Sequence, residues 1–156
     1  MTEHTSTSKP GWLLCLSGAN FAISRTQECL DRGIGGNDAE ALRGTCEAIW
    51  WIVAAEEMLL DAHDRMYRTA RADAGWDEVM SGLRWARNRI THQESQWKII
   101  EPPFNWANEQ NVPQPLIVRH DRGRDNYRRC LQGRPVIARL REMVNFLREY
   151  AMKFRW

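Results

Sequence analysis

The sequence predicts an all-α protein: a four-helix bundle of up-and-down type, with one long irregular connection and a short extra helix. Three observations lead there. Apolar residues recur at helical spacing through most of the chain, and no convincing alternating strand pattern appears. Glycine and proline clusters at Gly33-Ile34-Gly35-Gly36, Asp73-Ala74-Gly75, Glu101-Pro102-Pro103 and Gly133-Arg134-Pro135 divide that pattern into helix-length pieces. At 156 residues and 18.3 kDa, the chain can bury one substantial core without disulfides or metals.

The elements follow in order. Met1 to Pro10 is polar and rich in Ser and Thr, and is expected to be a disordered tail, with residues 11–156 forming a single helical domain. The first helix should span about Trp12 to Leu30, with Trp12, Cys15, Leu16, Ala19, Ala22 and Ile23 on its apolar face. The glycine cluster ends it, and Asn37 or Asp38 can cap the second helix. That helix, about Asp38 to Arg71, would run ~50 Å at 1.5 Å per residue. Its stripe includes Leu42, Cys46, Ile49, Ile52, Val53, Glu56, Leu59, Leu60, His63, Met66 and Tyr67. Trp50 and Trp51 are adjacent and point about 100° apart, so one should pack on a neighbouring helix while the other lines an interface. A third helix is expected from Trp76 to Ile100, stopped by the prolines. Residues 102 to 122 read as a long loop whose Phe104, Trp106, Leu116 and Ile117 suggest that it packs down. A short helix at Arg124 to Leu131 precedes a last one from Pro135 to Phe154, with Pro135 in its first turn.

Composition excludes several function classes. No apolar run reaches the ~18 residues needed to cross a bilayer, and no signal-peptide order appears, so a cytoplasmic location without membrane association is expected. Cys15, Cys29, Cys46 and Cys130 form no C-x-x-C pair, and the histidines are not spaced to complete a zinc site. Free buried thiols are expected, with no metal and no cofactor. Of the 22 basic residues only Lys9, Lys98 and Lys153 are lysine, and there are 8 Trp. The net charge is only +2, yet residues 119–156 carry eleven Arg and Lys against four acids, which makes the carboxyl-terminal third basic. Within it, Arg122, Arg124, Arg128 and Arg129 are candidates to contact phosphate.

The third helix carries the chemistry. At about 100° per residue, Trp76, Val79, Leu83, Ala86, Ile90 and Trp97 gather on a core stripe, whereas Asn88 and His92 share the opposite side. Trp85 lies about 20° from His92, so this side should meet something: a second subunit, RNA or the long loop. Arg84 and Arg89 lie nearby, and Arg87 sits on the flank, where Glu56 of the second helix is a plausible partner for it.

Arg87-Asn88-Arg89-Ile90-Thr91-His92 reads R-N-x-x-x-H in a helix of an all-α domain, and this resembles the signature of the HEPN superfamily. The resemblance covers that motif and the general helix plan. It implies metal-independent cleavage of RNA by a homodimer whose two motifs form one composite site, in a toxin–antitoxin, phage-defence or phage-encoded role. His92 would then be the general acid or base, Arg87 would hold the scissile phosphate, and Asn88 would orient either one. The ribose 2′-hydroxyl would attack. Glu56 and Trp85 would support the site, Arg84 and Arg89 would join the carboxyl-terminal arginines in holding RNA, and a protein antitoxin or regulator is a possible partner. On one helix Arg87 and His92 point about 140° apart, so bringing both to one phosphate requires a second chain. A non-catalytic HEPN-like module binding RNA or protein is the alternative.

Overall fold

The computed structural model describes residues 11–32, 39–92, 122–132 and 134–154, with the side chains of Thr91, His92 and Gln132 left outside. Within them the protein is an all-α bundle. Four long helices, α1 (Gly11–Asp31), α2 (Ala39–Asp73), α3 (Asp77–His92) and α5 (Val136–Lys153), are joined by a short α4 (Arg122–Tyr127) that continues into a π-helical turn, Arg128–Gln132. The expected tail, the glycine cluster with its cap, the third helix beyond His92 and the loop up to Asp121 lie outside the described residues. Arg122, placed at the end of that loop by the sequence, instead opens α4.

One apolar cluster joins these helices. Trp12, Cys15, Leu16, Ala19, Ala22 and Ile23 of α1 are buried, as their spacing requires, against Ile49, Ile52, Val53 and Leu59 of α2 and Leu140, Val144 and Leu147 of α5. The α1–α2 contact is close: a Cβ on Gly18 would stand 2.9 Å from the Trp51 indole, so only glycine admits that ring. Trp51 is therefore the tryptophan that packs on the first helix, and Trp50 stays 47% exposed. Cys15, Cys29, Cys46 and Cys130 are free and buried.

Two features differ from the sequence expectation. The second helix bends at Asp64, whose φ and ψ of 19° and −90° are not helical. The bend turns the end of α2 so that Tyr67 and Arg71 are both buried. Pro135 is the N-cap of α5 and not a residue of its first turn; its carbonyl accepts the Arg139 amide at 3.2 Å. Between α2 and α3, Gly75 takes a left-handed φ of 74° and the Trp76 amide returns to the Arg71 carbonyl at 2.9 Å. Trp76 then packs on Phe146 of α5, 6.0 Å between ring centres. This short reversal leads from the bent end of α2 into α3. No described helix is long and apolar enough to cross a membrane.

Candidate functional site

The centre of the α2–α3 contact is a carboxylate. Glu56 is wholly buried and accepts from three donors: Arg71 and the Tyr67 hydroxyl (3.3 Å) on one oxygen, and Arg84 Nη2 at 2.5 Å on the other. Arg71, 8% exposed, also donates from Nε to Asp77 at 2.6 Å, at the start of α3. Burial acts to lower the affinity of Arg71 for its proton, but the hydrogen bonds to Asp77 and Glu56 outweigh it and the net shift is upward. Burial, with the Glu56 charge behind it, raises the Tyr67 hydroxyl well above its usual range, so it remains a protonated donor. Two guanidiniums and a phenol thus satisfy this buried acid.

This corrects the partner expected from the sequence. Arg87 does not reach Glu56; it pairs with the next residue, Glu57, at 2.7 Å on the half-open side of α2. Arg84, one turn earlier on α3 and 32% exposed along its side chain, reaches the buried carboxylate instead. Arg84 meets Glu56, and Arg87, three residues further along α3, meets Glu57 on the outer side of α2.

The other flank of α3 is covered by α4. Gly82 meets the α4 backbone so closely that a Cβ there would stand 2.8 Å from the Tyr127 nitrogen. Trp85 packs on the Tyr127 ring, 5.0 Å between centres, and its Cβ and indole lie over Gly123. The neighbour that Trp85 requires is supplied at least in part by α4, and the ring joins the edge of the apolar core. Arg89 lies over the outer face of the same indole, 5.4 Å from its centroid.

Between these flanks Asn88 is exposed. His92 stands one turn further along α3, and its side chain lies outside the described residues. Gly123, the contact point on Trp85, is bracketed by Arg122 (exposed) and Arg124 (half-buried), which brings both arginines beside α3. Arg128 is half-buried, and Arg129 is engaged with Glu78 at 2.7 Å and with Asn126 at 2.8 Å. The arrangement therefore brings Arg87, Asn88, Arg89, Arg122 and Arg124 to the outer side of α3 and its α4 flank, whereas Glu56 is buried and the half-buried Arg84 turns in to it.

Sequence reasoning missed Arg71, Tyr67, Asp77 and Glu57. Arg71 and Tyr67 lie fifteen and eleven positions beyond Glu56 on the same helix, and only the bend at Asp64 brings them back to it. Among the described residues, no cluster of His, Cys, Asp and Glu is arranged to hold a metal ion. No family model, curated protein or solved structure matches the chain.

Proposed function

We propose that the protein is a HEPN-type, metal-independent endoribonuclease acting as a homodimer, with Arg87, Asn88 and His92 of two copies forming one site. The observation that carries this reading is the placement of the motif. Asn88 is exposed on a helix clamped on both sides, with Arg87 on its α2 flank and Arg122 and Arg124 on its α4 flank. A phosphodiester laid along this side of α3 would find guanidiniums on both margins and a carboxamide between them. Arg87 would hold the phosphate and leave its exposed pair with Glu57 to do so, a cost of at most about 1 kcal/mol for a pair in contact with water. His92 would pass the proton between the 2′-hydroxyl and the leaving oxygen. Glu56 supports the site indirectly, by fixing α3 against α2 through Arg84.

The test is cleavage of single-stranded RNA in EDTA by the purified protein. Products ending in 2′,3′-cyclic phosphate are expected, with activity lost by about 100-fold or more in Arg87→Ala and in His92→Ala. Cleavage unchanged by His92→Ala removes the catalytic assignment.

The Arg87–Glu57 pair also favours a second reading, a non-catalytic module that binds RNA or a protein. An arginine already neutralised in the free protein is a weaker phosphate clamp than an open one. That reading expects RNA affinity without turnover, reduced by charge reversal at Arg128 and Arg129.

A further inference from the structure

Of the six large apolar side chains exposed among the described residues, four lie on one side of the α1–α2 pair: Leu14 and Phe21, at 57% and 66% exposure, with Trp50 and Met58. The pair is antiparallel, because Gly11 meets Met58, Gly18 meets Trp51 and Arg25 meets Glu47. Phe21 is therefore about level with Ala48 and Leu14 with Ala55. On α2, Trp50 and Met58 stand one turn to either side of Ala54, within about 40° of it around the helix. The four surround a strip of small or flat residues between the helices: Gly18, Ala54 and the Trp51 indole, all half-buried. Trp51 braces Trp50 edge-to-face, 5.5 Å between centres. A bare apolar strip of this kind on a polar surface marks a docking face.

Charge defines what can cover it. Up to the bend, residues 39–64 of α2 carry six acids and one base, Arg43. Glu40, Glu57, Asp61 and Asp64 are exposed. Glu40, Glu47, Ala54 and Asp61 follow at seven-residue intervals, so they run along one outward line of the helix about 10.5 Å apart. Carboxylates thus bound the strip at both ends, Asp61 beyond Met58 and Glu47 beside Phe21. Such a face repels nucleic acid. Residues 93–121 carry four acids against two bases, and a second copy would set the acidic line against itself, so neither complements it.

We infer that the α1–α2 face docks a cationic amphipathic helix of a partner protein. Laid along the strip, that helix places apolar side chains at i, i+3 or i+4, and i+7 against Leu14, Phe21, Trp50 and Met58, with its lysines or arginines outside them. Its two cationic ends fall about two heptads apart, matching the ~21 Å between Glu47 and Asp61. Burial of the aromatic and aliphatic side chains supplies affinity, and the carboxylates select the sign of charge. Arg87, Asn88 and His92 are no part of this face, so the inference is independent of the ribonuclease reading and stands if the protein cuts no RNA.

Two labelled peptides of about 18 residues, long enough to hold a helix, test it on the full chain. One is a leucine-based amphipathic helix with a lysine polar face; the other has glutamate in place of lysine. Fluorescence anisotropy should show the lysine peptide binding at least about tenfold more tightly, with the difference shrinking as salt rises. Trp50→Ala and Phe21→Ala should each weaken the lysine peptide by about tenfold or more, as loss of an aromatic anchor does. Far-UV circular dichroism should be unchanged, because both side chains are exposed. Asp61→Lys should weaken the lysine peptide and strengthen the glutamate peptide. Equal affinity for the two peptides, or binding indifferent to Trp50→Ala and Phe21→Ala, overturns the inference. Binding of neither peptide overturns it as well, and light scattering then separates a face closed by a second copy from one closed by residues 93–121.

Discussion

At the scale of single residues, the pair Glu56 and Glu57 shows how one position along a helix changes what a carboxylate does. Glu56 is sealed between Arg71, Arg84 and Tyr67, so its removal strands the buried Arg71 guanidinium and frees the half-buried Arg84. Glu57 is half open to water, and its ion pair with Arg87 is screened. Glu56→Gln is expected to destabilise the fold by about 3–5 kcal/mol, the range for breaking one side of a buried pair. Glu57→Ala should change stability by no more than about 1 kcal/mol. Urea unfolding of the two variants checks this, and equal losses would mean that Glu56 is hydrated in solution. The sequence marked Glu56 as an acid in an apolar stripe, which correctly signalled that it needs a buried partner. It did not identify the partner, because arginine is flexible enough that three residues of register decide which one arrives, and register depends on how two helices cross.

At the scale of elements, the α3–α4 contact rests on two small residues. Glycine within a helix ordinarily costs up to ~1 kcal/mol relative to alanine, so replacing one with alanine usually stabilises. Gly82→Ala should do the reverse. The new methyl would lie 2.8 Å from the Tyr127 amide nitrogen and 2.9 Å from its Cα. Backbone atoms cannot rotate aside as a side-chain tip can, so α4 must move away, at about 1–3 kcal/mol. Faster hydrogen exchange across residues 122–132, with α1 and α2 unchanged, is the expected signature; unchanged protection there would show that α4 does not seat on Gly82. The helices themselves were legible: 3.6-residue spacing and glycine and proline breaks placed α1, α2 and α5 to within two residues of their observed ends. The bend at Asp64 was not, because no proline or glycine lies between Met58 and Asp73 to signal it. Covering Trp85 by α4 was legible only as a need, since a tryptophan on the outer side of a helix requires a neighbour but does not name it.

At the scale of the whole molecule, the core determines how the protein responds to alkali. Burial pushes the Cys46 thiol up to about 12 and also raises Cys15 and Cys130, while Tyr67 and Tyr127 shift upward for the same first cause. Each group keeps its proton in the folded state at pH values where the unfolded chain has released it. A raised folded pKa means that the contribution to stability is complete below the unfolded value, about 8.5 for a thiol, and declines as pH rises toward the folded one. For Cys46 that window runs from about pH 8.5 to about 12. Within it a single thiol steepens the fall by up to about 1.4 kcal/mol per pH unit, and the tyrosines add to it from about pH 10. Urea midpoints measured under reducing conditions should therefore be flat from pH 7 to 8 and fall progressively above pH 9. Cys46→Ala will lower stability at neutral pH by opening a small cavity, yet its decline between pH 9 and 11 should be shallower by about one proton. Parallel curves for the two proteins would mean that Cys46 reaches water in the folded state more freely than its burial implies.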